Sequence, residues 1–337
     1  FGPTLAAAEK YSIEDLNEWQ EELKKNGFEV EMGVGGFKTA FRAVYSHGEG
    51  GPVLGILCEY DALRNLGHGC GHHMQGPGCL GAAVALKNLD TDKPFQLVVY
   101  GTPAEETFGS KVQMIQNGCF KELDVAFMMH GGPNTCTDIK CLAQKSYKVT
   151  FHGHRAHAAL APEKGRSAFD AMLAAFQGIE FLREHVPDDV RMHYCMTELP
   201  GPANVVPATA KGEFSLRSFS RKELEEVSER FQDIIKGAAL IAGVTYDIEE
   251  GTFFYNKIPV LALNKLAGAP QLAPPREKTG STDFGNVMYE IPGSCIRVAF
   301  VPEGTASHSQ EFVDAGKSES AHNCVIYGAK AIGGACY

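Results

Sequence analysis

The string HGCGHH brings His68, Cys70, His72 and His73 together in a glycine-rich stretch. A thiolate and an imidazole at i and i+2, flanked by glycines, can turn toward a common point without steric conflict. A mixed set of sulfur, nitrogen and carboxylate donors suits zinc or a similar borderline metal. The plainer reading is a buried cysteine among loop histidines that bond the backbone. The pair Glu105-Glu106 suggests a division of labour. In extended chain, neighbouring side chains point to opposite sides, so one carboxylate would bind metal and the other would face the substrate as a general base. An acidic pair opening a helix is the alternative. Asp61 would bond the second nitrogen of a ligand histidine, or would form an Asx turn or helix cap. Asp283, in GSTDFGN, reads equally as a turn, a cap or a site residue. Three further residues have ordinary readings when taken singly: His157 as a loop histidine, Asn204 as a turn residue and Arg217 as a surface arginine. Chemically, an arginine fork suits a substrate carboxylate, and His or Asn can donate to a developing oxyanion.

These side chains need elements that deliver them to one place. VLGILC (53–58) leads into Glu59-Tyr60-Asp61, and FQLVVY (95–100) leads through GTP into Ala104-Glu105-Glu106. VAFMM (125–129) leads into His130, and IRVAFV (296–301) into PEGTASHS with His308. Each run is short and nearly continuously apolar, the pattern of a strand buried on both faces. Helices are expected over 76–89 and over 13–27, the latter stopped by Gly27. Strands alternating with helices predict a mainly parallel α/β sheet covered by helices, whose ligands bind beyond the carboxyl ends of the strands. Four strands delivering Asp, Glu and His to that edge make the metal reading stronger than any one motif does.

The pattern changes between 144 and 252. Strands are expected over 146–154, 190–199, 208–219 and 244–250, with amphipathic helices over 166–186 and 221–243. That order, β-α-β-β-α-β, is the ferredoxin-like unit. The expected domains are therefore 1–143 with 253–337, carrying the metal-binding residues, and an inserted 144–252.

Of 337 residues, 31 are basic and 41 acidic, a formal net charge of −10, which opposes binding to nucleic acid or to anionic membranes. The hydrophobic fraction of 44% and charged fraction of 21% belong to a globular chain with a full core, not to a disordered one. The 10 cysteines are scattered without a CxxC pair, so the expected compartment is reducing, the cytoplasm. No apolar run is long enough to span a membrane, and FGPTLAAAEKYS lacks the basic and apolar regions of a secretory signal.

Taken in order, GFKTAF, EYDAL, GHGCGHH, GTPAEE, MMHGGP, HRAHAALAP, ANVVP, GSTDFGN and SHSQEF span nearly the whole chain. Together they resemble the metal-dependent aminoacylase/carboxypeptidase family. The similar branch holds N-acyl-amino-acid amidohydrolases, aminobenzoyl-glutamate hydrolase and Xaa-Arg-type dipeptidases. The resemblance implies a zinc-exopeptidase-like α/β domain with an inserted ferredoxin-like lid or dimerisation domain. It implies two divalent metals, zinc or manganese, held by Cys70, His72, Glu106, His130 and His308. Glu105 matches the general base, and Asp61 the aspartate that supports the metals. His157, Asn204 and Arg217 match lid residues that contact the substrate's carboxylate or the transition state. A homodimer is implied in the same way. His73 stands where many relatives have Asp or Asn, and Glu59 where distant relatives have a histidine ligand. The segment 264–280 looks short beside the helical stretch the family leads one to expect. The expected activity is hydrolysis of the amide bond of a dipeptide or N-acyl amino acid with a free carboxylate. Two rivals stand beside it: a metal-free amidase with Cys70 as nucleophile, and a metal-bearing binding protein without turnover.

Overall fold

Seven strands form one sheet in the computed structural model, which describes residues 16–258, 260, 262, 263, 265 and 277–337. Most of the 264–280 segment, and the first three residues of the helix expected over 13–27, lie outside the described residues. The chain divides into two compact units, residues up to Cys141 with Lys257–Tyr337, and Leu142–Asn256.

In the first unit the four apolar runs are the parallel centre of the sheet. They are β3 (Val53–Glu59), β4 (Phe95–Thr102), β5 (Val125–Gly132) and β11 (Gly293–Ala299). β4, β3, β5 and β11 are neighbours in that order and all run the same way, so their carboxyl ends share one edge. The flanks are antiparallel: β1 (Glu29–Met32) and β2 (Phe41–His47) extend one side, and β6 (Cys136–Thr137) the other.

Alternation along β5 shows why the centre reads as continuously apolar. Phe127 and Met129 belong to a core shared with α2 (Gln75–Lys87) and α8 (Glu319–Cys336), through Cys79, Ala83, Cys324 and Ile332. Ala126 and Met128 belong to a separate core with Met114 of α3 (Ser110–Gln116) and Phe284 and Val287 of α6 (Phe284–Glu290). Both faces are covered, so neither needs polar residues. A short α7 (Gln310–Ala315) adds Phe312 to the first core. The N-terminal helix α1 (16–25) lays Trp19 edge-on against Tyr60, with ring centroids 5.9 Å apart. Gly76, in the first turn of α2, lies so close that a Cβ there would come within 2.0 Å of the Trp19 ring. On the flank, Glu122 ties β2 to β4: Arg42 Nε donates to it at 2.8 Å and Tyr100 Oη at 2.7 Å.

The second unit is a four-stranded antiparallel sheet. In chain order it contains β7 (Ala143–His152), α4 (Ala168–Arg183), β8 (Arg191–Met196), β9 (Thr209–Ser218), α5 (Arg221–Ala242) and β10 (Thr245–Glu250). The strands lie in the order β10-β7-β9-β8, the ferredoxin-like arrangement. Ser167 and Ser220 cap the two helices, accepting from Asp170 N at 3.1 Å and Glu223 N at 3.3 Å. Gly243 closes α5 in the left-handed conformation at φ 65°. One sheet face packs Tyr147, Phe151 and Phe214 against Ile179, Phe231 and Ile235 of the helices. The alternate residues, among them Gln144, Ser146, His193, Ser215 and Arg217, line an open depression of about 610 Å³ on the other face.

Candidate metal centre

The candidate ligands of the first unit meet at the carboxyl edge of its parallel strands. Their donor atoms form two triads that share Cys70: Cys70 with His72 and His130, and Cys70 with Glu106 and His308. In each triad the atoms lie within 4.8 Å of one another, and His72, Glu105 and Glu106 form a third such group. Glycines shape the loop that makes this possible. Gly71 takes φ 81° between Cys70 and His72, a backbone open to glycine at little cost. His130 is the sixth residue of β5, and Cys70 Sγ lies 3.5 Å from its Nε2. His308 is held at φ 63°, its N–H bonded to Gly69 O at 2.9 Å, and its Nε2 lies 3.5 Å from Glu106 Oε1.

Supporting bonds orient these donors. His72 Nδ1 lies 3.1 Å from the Asp61 carbonyl and 3.4 Å from its carboxylate, which leaves Nε2 directed toward Cys70's group. The other Asp61 oxygen accepts from Glu106 N at 2.9 Å, so Asp61 positions two ligands at once. Behind His130, the Gly131 carbonyl lies 2.6 Å from His130 Nδ1 and accepts from buried Arg297 at 2.8 Å. One expectation is corrected here. Glu105 and Glu106 do not sit in extended chain; they form a turn after Ala104, which has φ 60°. Their carboxylates consequently do not point to opposite sides, and both reach the neighbourhood of His72. His73 takes no place in these groups; its Nε2 lies 2.8 Å from Gly316 O and its ring stands 4.8 Å from that of His68.

The charges are those of a site built around cations. Glu59, Asp61 and Asp283 are buried, and Glu105 and Glu106 half-buried. Fully buried Lys111 answers two of the five, with Nζ 2.7 Å from Glu59 and 2.6 Å from Asp283. Burial raises the Glu59 carboxyl, but Lys111 and His72 outweigh it and hold the group below the usual range. Burial, and then the charge of Glu59, pushes Glu105 well above that range. Burial lowers His72, yet Cys70 and Glu59 pull it well above an ordinary histidine. His72 Nε2, Asp61 Oδ1 and Glu106 Oε1 are buried without a hydrogen-bond partner. Unsatisfied buried donors and acceptors of this kind are costly unless something binds there. Sulfur, imidazole and carboxylate around a surplus of negative charge fit divalent metal ions. Cys70 as a free nucleophile fits less well, because burial pushes its thiol up to about 12, only partly opposed by His72.

The three remaining predicted residues lie in the second unit. Exposed His157 accepts from Ala159 N and Leu160 N at its Nδ1, both at 3.2 Å, which places the proton of the neutral ring on Nε2. Asn204 is its neighbour, its carbonyl accepting from Ala158 N at 3.0 Å. Arg217, on β9, is half-buried in the open depression, and burial lowers its pKa. Among the described residues no carboxylate lies within ion-pair distance of it.

A model of peptidase family M20/M25/M40 matches residues 59–332. The chain belongs to that family. It is 32% identical over 317 residues to an Xaa-Arg dipeptidase of Mus musculus, a match covering 88% of this chain and 73% of the relative. It is 28% identical over 396 residues to a p-aminobenzoyl-glutamate hydrolase polypeptide of Escherichia coli, covering 91% and 81%. In fold it is similar to a dinuclear metal-binding M20 peptidase of Bacillus subtilis, with a TM-score of 0.71 at 18% identity over 96% of this chain and 92% of that one. As an M20-family protein it is a hydrolase acting on carbon–nitrogen bonds. Two residues of this M20 site were not anticipated. Lys111 falls three and four positions before Met114 and Ile115, on the buried stripe of α3, where a charge is out of place. Arg297 interrupts the apolar run Ile296–Ala299 of its strand. In both cases a cation at a core position was the available signal.

Proposed function

We propose that this M20 hydrolase is a di-metal amidase that cleaves dipeptides or N-acyl amino acids carrying a free carboxylate. The carrying observation is the pair of donor triads sharing Cys70, each of a size and composition for one ion. Cys70, His72, Glu106, His130 and His308 would hold two divalent ions, zinc or manganese. Ions held there supply a polarised carbonyl and a bound water of lowered pKa. Glu105, adjacent to the ligand Glu106 and with a raised pKa, takes the water's proton and returns it to the leaving amine. Asp61 keeps His72 and Glu106 in place during the cycle. His157, with N–H on Nε2, donates to the oxyanion. Arg217, without an acidic partner among the described residues, takes the substrate carboxylate together with Asn204. The residues 144–252 thus act as the substrate-contacting domain. A homodimer in the cytoplasm completes this reading, and light scattering of the purified chain tests the dimer.

The test is a hydrolysis screen on protein purified without chelator, before and after metal depletion. Dipeptides ending in Lys, Arg or Glu are paired with acetyl- and benzoyl-amino acids. The expected result is amide cleavage lost on depletion and restored by zinc or manganese. Turnover indifferent to depletion would overturn the reading and return attention to Cys70.

A further inference from the structure

Beside these three groups lies a fourth, made of carboxylates alone, and a side chain of the protein is directed into it. Carboxylate oxygens of Glu59, Glu105 and Asp283 lie within 4.8 Å of one another. An all-oxygen group of that spacing is what magnesium or manganese binds. Lys111 reaches it from the first turn of α3, with Nζ 2.6 Å from Asp283 Oδ1 and 2.7 Å from Glu59 Oε1. The Lys111 backbone N–H also bonds Asp283 Oδ2 at 3.0 Å, so this carboxylate is gripped at both oxygens. Glu59 is fixed on its far side: Gln75 Nε2 donates to Oε2 at 2.8 Å, and the same oxygen lies 3.3 Å from His72 Nε2. Glu59 therefore stands between the ammonium and a candidate metal ligand.

We propose that the Lys111 ammonium is a resident cation of this site, standing where a third metal ion would bind among Glu59, Glu105 and Asp283. It holds the metal complement at two and leaves Glu105 unligated for proton transfer. This inference rests on the di-metal reading above, and it makes Lys111 a positioning residue. The physical distinction is between two kinds of cation. An ammonium is a single charge with three directed N–H bonds, and two carboxylates satisfy most of them. A divalent ion in an oxygen site seeks about six ligands and would draw Glu105 into its shell. A lysine at this position therefore offsets part of the buried negative charge without occupying the base.

The experiment compares the full chain with Lys111→Met, a side chain of similar length without charge. Both are prepared in the same manganese buffer without chelator, desalted, and counted for metal per chain by elemental mass spectrometry. Two equivalents in the parent and three in the variant are expected, and the variant's Tm should rise more steeply with added Mn²⁺. Equal counts with parallel Tm dependence overturn the proposal. The proposal is read from the difference between the two proteins, whereas a parent count other than two tells against the di-metal reading itself. If Lys111→Met does not fold without metal, two rescues decide. Recovery of folding by Mn²⁺, or by adding Glu59→Gln to remove the surplus charge, supports the charge role. Failure of both overturns it, since Lys111 would then matter for packing alone.

Discussion

Glu105 and Glu106 are neighbours of one chemical type with different tasks, and their surroundings assign them. Glu106 accepts orientation from Asp61 through its backbone and shares a donor triad with Cys70 and His308. Glu105 sits closer to the acidic side, where burial and then the charge of Glu59 raise its pKa above the usual carboxylate range. Glu105→Gln keeps size and hydrogen bonding but cannot take a proton. Turnover should fall by about 10²–10⁴-fold with metal content unchanged, and steady-state kinetics with elemental mass spectrometry on one sample checks both. A variant at parental rate would remove Glu105 from the base role. The donor residues were legible in the sequence because these Cys, His and paired Glu fell next to glycines or strand ends. Lys111 was not, because a lysine in a short helix ordinarily points to water. Its partner Asp283 read equally as a turn, a cap or a site residue, and at the cap position it makes no capping bond and bonds Lys111 instead.

At the scale of elements, the parallel strands were readable because burial on both faces leaves an unbroken apolar string. β1 and β2 were not, since β1 is largely exposed and β2 only partly buried. The turn at Glu105 was hidden for another reason: Ala104 gives no sign of a left-handed backbone, which the surrounding packing imposes. The β2–β4 tie at Glu122 leads to a pH prediction. Burial raises this carboxyl, but the bonds from Tyr100 and Arg42 outweigh it and hold its pKa below the ordinary value. A lowered folded-state pKa stabilises the protein wherever the group is ionised in both states. That contribution is complete above the usual carboxyl pKa and is lost as pH falls through the folded value. Discounted for partial exposure, it is on the order of 0.5–1 kcal/mol. Glu122→Gln should therefore lower stability at pH 7 by about that amount, and the difference should shrink as pH falls through the folded-state value. Urea titrations at pH 7, 5 and 3 measure it, and a constant difference across the three would contradict the assignment.

For the whole molecule, the change of pattern near 144 and 252 reads as a change of architecture because the two units use different periodicities. The first unit's central strands are continuously apolar; the second unit's strands alternate, with one face on the helices and one open. Each unit has its own core, so they need not share a fate when metal is removed. Stripping divalent ions would leave five acidic side chains around one lysine in the first unit, while the second contains no predicted ligand. Calorimetry of loaded and chelated protein should show the first unit's transition falling by several degrees and the second's staying in place. A common shift of both, or none, would contradict this.

Trp19 gives that difference an optical handle. It is the only tryptophan in the chain, and it stands edge-on to Tyr60, one residue before Asp61, and against Gly76, four residues after His72. Excitation at a wavelength that spares tyrosine therefore reports on the metal-bearing unit alone, and the ferredoxin-like unit is dark. The native emission of this protein is a site-specific probe that needs no label, placed two short steps of chain from the residues proposed to hold the ions.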